Sequence, residues 1–360
     1  MKRLLSPYFF SLLFVFGNIC PGFAQSMHFS QYYNAPLLLN PANTALTSTS
    51  DFRLGVNHRM QWLAYPAPYI TTSAYGDFQL MRNQNETNWM GLGFAFFNDN
   101  VGDGQLNLFR SEIFLAYHIQ IGSYNMISFG ASGSYNSRSV NFSKFTYPLQ
   151  WDGYIFDKTS SNGENKGLEK SAYTAVTGGI NYAFFPNEAV YMKVGLSTAN
   201  LNKPVETFFS GSQNKLDFRH TINAEIQMKT SENIIINPSA YYSIQSGAKE
   251  ILFGSLVIFN MAKDFEQLTA NQLIFGAFSR WGDAVIGVAG YQYNGMKFTA
   301  SYDFTLSDLP ANASKSTGDL WNSRLYMRVF TEKHQKDVIS TIVRVSKRIE
   351  GVKRQSRSFR

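Results

Sequence analysis

The charged and imidazole side chains of this sequence lie mainly on segments in which polar and apolar residues alternate. His118 shares its parity with Arg110 and Glu112 within one such segment. Acid–base or nucleophilic catalysis needs partner groups within hydrogen-bond reach, and spacing alone places no Ser or Asp beside His118. The sequence also shows no clustered metal ligands, phosphate-binding loop or nucleophile elbow. We therefore predict a protein that is not an enzyme and that uses no cofactor or metal.

Fourteen segments with strand character must position these side chains. Most are close to the roughly 9–11 residues that a tilted membrane strand requires. After the first two dozen residues, no apolar run approaches the roughly 20 residues of a membrane helix. The segments lie near residues 52–60, 69–79, 88–97, 107–120, 124–136, 172–185, 189–199, 217–229, 232–243, 249–260, 271–281, 283–293, 296–304 and 322–330.

Alternation is clearest between Phe218 and Lys229. One face of that segment is Phe, His, Ile, Ala, Ile and Met, and the other is Arg, Thr, Asn, Glu, Gln and Lys. A Lys or Arg that faces lipid at mid-depth costs roughly 2–4 kcal/mol, so the polar face is predicted to line an enclosed lumen. Periodicity does not orient Ile251–Phe259, which is apolar on both faces, or Ala284–Gly290, which is rich in Gly and Ala.

The predicted fold class is all-β: a transmembrane antiparallel β-barrel of about 14 strands with a short C-terminal extension. A soluble two-sheet sandwich is the alternative fold. The lengths of the connections fit a barrel with external loops and periplasmic turns. The outward connections are long near 137–171, 200–216 and 305–321, and the inward ones are very short at 121–123 and 230–231. We expect a location in the cell outer membrane, with both mature termini in the periplasm.

Both ends of the chain differ from the predicted barrel. Residues 1–24 have a basic start, an apolar stretch and small residues before Gln25, as a secretory signal peptide does, and they include the only cysteine. Residues 331–360 hold nine Lys/Arg against three acidic residues, so this tail carries +6 of the net charge of +7. Because the basic charge belongs to the tail and not to a folded domain, we expect no nucleic-acid partner. The predicted division is a signal peptide (1–24), a periplasmic N-terminal lead (25–51), the barrel (52–330) and a basic periplasmic tail (331–360).

The tail has an apolar stripe if it is helical. Its stripe residues recur at spacings of 4, 3, 4 and 3, and are Val338, Ile342, Val345, Ile349 and Val352. Arg344, Lys347 and Arg348 lie off the stripe. Two interpretations remain open: a partly disordered extension, or a basic amphipathic segment that docks onto anionic lipid or a periplasmic partner.

The candidate contact residues are side chains of the predicted lumen face, together with residues near the ends of the first strand. They are Arg59, Gln61, Trp62, Asp77, Glu112, His118, Arg219, Glu225 and Asp303. They could form an internal salt-bridge lattice, or they could grip the terminal segment of a secreted partner. Asn40 and Pro41 predict a rigid bend before the first strand, because Pro fixes φ and Asn can close an Asx-type turn. That bend could simply deliver the chain into the strand, or act as a gate or plug at the periplasmic mouth.

Five short motifs occur in a fixed order along the chain. They are His28–Tyr33 with Leu38–Asn43, His58–Trp62, Thr71–Asp77, Asn237–Ser239 and Tyr302–Leu309. In this order they resemble the PorP/SprF family. The chain departs from the family at Asp319–Ser323, where members tend to carry Gly-Ser-His-Glu, and in continuing beyond the last strand.

The resemblance implies a non-catalytic outer-membrane component of the Bacteroidetes type IX secretion and gliding system. Some members associate with the periplasmic and lipoprotein parts of the secretion machine, and others export or anchor a large surface adhesin. The expected partners are therefore type IX secretion components, a large secreted adhesin, or both, with outer-membrane lipid around the barrel. Two alternatives remain: a porin or transporter for small solutes, and a barrel hydrolase with a Ser/His or Asp/His constellation at its outer rim.

Overall fold

The structure is a computed structural model. It describes residues 30–47, 52–61, 69–83, 87–102, 106–161, 163, 169–187, 189–208, 214–261, 271–293 and 296–306, and the backbone of 327–332. The predicted signal peptide, Trp62, and the tail residues Arg344, Lys347 and Arg348 lie outside the described residues.

Within the described ranges, fourteen antiparallel strands form one sheet, which confirms the predicted fold class. They are β1 (Phe52–Gln61), β2 (Tyr69–Leu80), β3 (Asn88–Val101), β4 (Leu106–Ile121), β5 (Asn125–Ser139), β6 (Lys170–Asn187), β7 (Val190–Ala199), β8 (Arg219–Lys229), β9 (Ile234–Gln245), β10 (Ala248–Asn260), β11 (Asn271–Arg280), β12 (Ala284–Tyr293), β13 (Met296–Thr305) and β14 (Met327–Glu332).

Strand β14 closes the sheet into a barrel. It pairs with β13 on one side and with β1 on the other, where Glu332 lies opposite Arg53 and Met327 opposite His58. A closed ring leaves no unpaired backbone edge, which the interior of a membrane would not tolerate. Because this pairing includes Thr331 and Glu332, the barrel extends two residues beyond the predicted boundary at 330.

Side-chain alternation separates a lipid face from a lumen face. Ile113, at the middle of β4, points outward and is 64% exposed, and Phe129 on β5 points outward and is 48% exposed. The inward Asp303 on β13 is fully buried. A soluble monomer rarely exposes so much contiguous apolar surface, and in an outer-membrane barrel this band faces hydrocarbon.

Strands β10 to β12 carry apolar side chains on both faces. Leu252, Ile274 and Ile286 point inward and are fully buried, while Ile251 and Val285 point outward and are exposed. The lumen is therefore not lined by polar groups alone. On this side of the ring the inward residues pack against Tyr32, from the segment before β1.

Residues 30–47 lie inside the ring of strands, and we call them the lumen plug. The plug contains the short helical segments Tyr32–Asn34, Pro36–Leu39 and Pro41–Asn43. Its side chains and backbone make hydrogen bonds to β2, β3, β4, β6, β7, β9, β11 and β13. Only a segment within the lumen can reach so many strands of a closed ring. These residues of the predicted N-terminal lead therefore lie within the lumen, where their apolar and amide groups have buried partners. Among the described residues, no helix has the length and apolar character needed to cross a membrane.

The two ends of the barrel differ in the length of their connections. The end that we call the loop end carries the long connections 140–169, 200–218 and 306–326, the first of which includes the 3-10 turns Phe142–Lys144 and Pro148–Gln150. The opposite turn end carries short connections such as 122–124 and 230–233. The plug begins with Ser30 near the loop end and reaches the turn end with Thr47, which accepts a hydrogen bond from Gln79 near the end of β2.

Candidate functional site

The first anchor of the plug lies near the loop end, where a serine joins a buried ion pair. Ser30 donates a hydrogen bond from Oγ to Asp303 Oδ2 at 2.6 Å and accepts one from Arg280 Nη2 at 2.7 Å. Arg280 Nη2 also lies 3.2 Å from Asp303 Oδ2, and Arg280 Nη1 pairs with Asp283 at 2.8 Å. Because hydrogen bonds to charged groups are stronger than neutral ones, this cluster holds the beginning of the plug firmly.

The second anchor is aromatic. The Tyr32 ring stacks on Tyr241 of β9 at 5.4 Å between centroids, and Tyr33 stacks on Phe278 of β11 at 5.1 Å. Tyr32 also donates from its hydroxyl to Ser239 Oγ at 2.7 Å. Burial raises the pKa of the Tyr32 hydroxyl above its ordinary value, so this group stays a neutral donor. These contacts account for the inward apolar side chains of β10 to β12.

The middle of the plug turns at the predicted Asn40–Pro41 bend. Asn40 Oδ1 accepts from the Ala42 N–H at 2.9 Å, and Pro41 begins the 3-10 turn that follows. The Asn40 Nδ2 group donates to Asn181 Oδ1 at 2.9 Å and to the Leu196 carbonyl at 3.2 Å. The Asn40 amide therefore closes the bend and also ties it to β6 and β7.

Inward glycines, including Gly130 and Gly179, let the plug approach the wall closely. A Cβ atom added at Gly130 of β5 would overlap the backbone of Pro41 and Ala42, and one added at Gly179 of β6 would overlap the Asn40 side chain. Glycine within a strand often marks such a close backbone approach. The outward Gly133 of β5 has open space instead.

The third anchor lies at the turn end and is centred on Asp77. This fully buried carboxylate accepts from the Ala45 N–H at 2.6 Å and pairs with Arg53 of β1. Arg53 also donates to the Asn43 carbonyl at 3.1 Å. From β3, Trp89 Nε1 donates to the Ala45 carbonyl at 3.0 Å. The plug backbone is thus held from two sides before it enters β1.

His118 belongs to this third anchor and not to an exposed catalytic site. Its Nε2 lies 2.8 Å from the Thr44 carbonyl, and its Nδ1 lies 2.8 Å from Ser128 Oγ. Because a carbonyl can only accept, Nε2 carries the proton and Nδ1 accepts from the serine. This is a Ser–His pair, but both side chains are buried beneath the plug, at 0% and 1% exposure. No substrate can reach the pair while the plug is seated.

The sequence-predicted lumen residues divide into two groups. Asp77, His118 and Asp303 contact the plug directly. The others lie in the lumen with further partners: Glu112 accepts from Ser132 at 2.6 Å, Glu225 pairs with Lys193 at 3.0 Å, and Arg219 donates to Tyr241 at 3.0 Å and Ser243 at 3.1 Å. Arg59 and Gln61 are buried at the loop end of β1.

Sequence reasoning missed several plug contacts. Arg280 and Trp89 were not singled out, although each holds the plug through its side chain. Asn181 was also missed; it donates to Asn43 Oδ1 at 2.9 Å in addition to accepting from Asn40. The usable signals were the apolar inward faces of β10 to β12 and the inward glycines, since both indicate that something other than water fills the lumen.

Comparison with known proteins identifies the family. The sequence pattern of the type IX secretion system membrane protein PorP/SprF matches residues 22–317, which is most of the chain. The chain belongs to the PorP/SprF family. The family and the barrel fold make it an outer-membrane component of the type IX secretion system. No curated protein matches this member in sequence.

Solved outer-membrane barrels resemble this PorP/SprF protein in fold. The Ralstonia pickettii toluene transporter TbuX is 8% identical, with a TM-score of 0.51 over 84% of this chain and 94% of its own. The P. putida toluene transporter TodX is 9% identical, with a TM-score of 0.46 over 84% and 95%. The translocator domain of the Neisseria meningitidis autotransporter NalP is 7% identical, with a TM-score of 0.39 over 78% and 87%. At these identities the likeness to TbuX shows the barrel fold alone.

Proposed function

We propose that this protein is a non-catalytic subunit of the type IX system that supports the export or surface anchoring of a secreted protein such as a large adhesin. The observation that carries the proposal is the lumen plug. A barrel whose interior is filled by its own chain, anchored at both ends and in the middle, offers no wide aqueous path at rest. Such a barrel is suited to hold partners at its ends, and the PorP/SprF family supplies the secretion context.

The proposed orientation follows from the connections. Outer-membrane barrels carry short periplasmic turns and longer external loops. The loop end, with the connections 140–169 and 200–218, is accordingly proposed to face the outside of the cell. The end of β14 then faces the periplasm, where the part of the basic tail that follows β14, residues 333–360, would meet periplasmic or lipoprotein components of the secretion machine. The path of the plug instead favours an outer-face position for the mature N-terminus, because Ser30 lies near the loop end.

Affinity purification from detergent-solubilised envelopes tests the proposed function. We expect the tagged protein to recover type IX secretion components or a large secreted adhesin. A tagged, folded barrel that recovers neither would contradict the proposal. Deleting residues 333–360 tests whether the tail binds the secretion components. If it does, the shortened protein still forms the folded barrel but no longer recovers those components.

A transporter for small solutes is the second candidate. It is favoured by one observation, a cavity of about 250 Å³ between the plug and the loop end. This function would require the plug to move, since the plug forms the floor of that cavity. Ion or solute flux through the unmodified protein in planar bilayers, with a defined solute preference, would favour it over the proposed anchoring role.

A further inference from the structure

The cavity above the plug has a chemistry that neither role explains. We call it the outer vestibule. It lies between the plug and the loop end, and its lining includes Leu38, Leu39, Phe97, Arg110, Arg138 and Arg219. The leucines come from the plug and make an apolar floor. The arginines come from the walls, on β4, β5 and β8. The vestibule thus joins an apolar surface to a cationic one.

Two of the arginines form a pair on neighbouring strands. Arg110 lies opposite Asn136, and Arg138 lies opposite Leu108, so the two arginines are diagonal neighbours on the lumen face of β4 and β5. Diagonal neighbours in an antiparallel pair have Cα atoms about 7–8 Å apart, which long side chains can bridge. A single group with two oxygens placed between them could therefore contact both guanidinium groups.

Each arginine of the pair is held in place and still has donors to offer. Arg110 donates from Nε to Glu112 and forms an ion pair with it through Nη2, and Arg138 Nη1 forms an ion pair with Glu206 at 3.0 Å. Within the part of the chain that the structure describes, Arg110 Nη1 and Arg138 Nε and Nη2 make no hydrogen bond. The two side chains are 29% and 33% exposed, so they are reachable from the vestibule. An oriented guanidinium with unused donors is suited to bind a carboxylate.

The balance of charge favours an anion. Three arginines line the vestibule, whereas two carboxylates pair with them: Glu206 in the lining and Glu112 behind Arg110. Arg219, which enters from the far wall, is oriented by its bonds to Tyr241 and Ser243. The volume of about 250 Å³ is below the roughly 300–1,000 Å³ of pockets for drug-sized ligands, so the ligand must be small or must be the end of a longer chain.

We infer that the outer vestibule binds a carboxylate carried on a small apolar group. Arg110 and Arg138 donate hydrogen bonds to the carboxylate oxygens, and the apolar group packs on Leu38 and Leu39 of the plug. Two sources present this chemistry: a small free organic acid, and the C-terminal residue of a polypeptide. The inference stands whether or not the proposed anchoring function is correct, because it depends only on the lining of the vestibule.

Binding measurements on the full-length protein in detergent test the inference. The probes are hexanoate with its neutral twin hexanamide, and N-acetyl-Ala-Ala-Leu with a free or an amidated C-terminus. We expect at least one acid to bind about 10- to 100-fold more tightly than its amide, the range expected for a hydrogen bond to a charged group. Tighter binding of hexanoate points to a free acid, and tighter binding of the peptide acid points to a polypeptide end; either outcome supports the site.

Variants locate the binding. Arg110→Gln and Arg138→Gln should each weaken binding of the acid about 10-fold or more and leave binding of the amide unchanged. Arg82→Gln, at the turn end beside Trp89, is the matched control and should have no effect. The inference is overturned if acid and amide bind equally, or if folded Arg110→Gln and Arg138→Gln proteins bind the acid as the unmodified protein does. If these variants do not fold, the salt dependence of the unmodified protein decides: affinity for the acid must fall with rising salt, and affinity for the amide must not.

Discussion

Replacing Gly130 with valine tests how closely the plug is packed against the barrel wall. The added side chain would overlap the backbone of Pro41 and Ala42, whereas in the displaced state it would project into an open lumen. Overpacking of a well-filled interior costs about 1–3 kcal/mol. This cost applies only when the plug lies in the lumen (seated) and not when it has left the lumen (displaced). The ratio of displaced to seated protein should therefore rise by about 5- to 150-fold.

A cysteine reporter in the plug measures this ratio. Thr44 is fully buried, and the only cysteine of the chain is Cys20, in the predicted signal peptide, so Thr44→Cys gives the mature protein a single thiol. Its rate of reaction with a water-soluble maleimide should rise with the displaced fraction. Gly133→Val is the matched control, since it adds the same side chain to the same strand, facing outward into open space. Equal labelling rates in the two variants, with both barrels folded, would refute the reasoning.

Three further predictions follow from the same structure. Asp77→Asn should lower the stability of the folded barrel by up to about 3–5 kcal/mol, because it removes the charge of a fully buried carboxylate that pairs with Arg53 and accepts from the Ala45 N–H; the temperature at which the heat-modifiable band unfolds measures this, and an unchanged temperature would contradict it. Ile113→Lys should make the free energy of folding into bilayers less favourable by about 2–4 kcal/mol, because the residue faces lipid at mid-strand. The conservative Ile113→Leu should cost little, and equal folding of the two variants would show that Ile113 does not face lipid. An epitope tag at the mature N-terminus should be detected by antibody on intact cells and one at the C-terminus should not, since Ser30 lies near the loop end; detection in the reverse pattern would contradict the path of the plug.

The strands were predictable because their signal is local. Alternation places Glu225 inward and Ile222 outward from the sequence alone, and the structure gives Ile222 an exposed position and Glu225 an inward partner in Lys193. All fourteen predicted segments correspond to strands. The last strand was the least accurate, since it was predicted near 322–330 and lies at Met327–Glu332.

The plug was not predictable in the same way because its stability is non-local. Asn40 reads as a turn residue in sequence, and it does close a turn, but what holds it in the lumen is Asn181, 141 residues away. Likewise, Ser30 depends on Arg280 and Asp303, which are more than 200 residues distant in the chain. No periodicity within residues 30–47 reports such partners. The indirect signal was Ile251–Phe259, whose two apolar faces required a second apolar surface inside the barrel.

The N-terminal segment closes the lumen of its own barrel. Single-channel recording of the full chain and of a chain lacking residues 30–47, in the same planar bilayer, tests it most directly. With both proteins shown to be folded by heat modifiability, we predict no steady conductance for the full chain and a stable open channel for the deletion. Equal conductance from the two proteins would contradict the account.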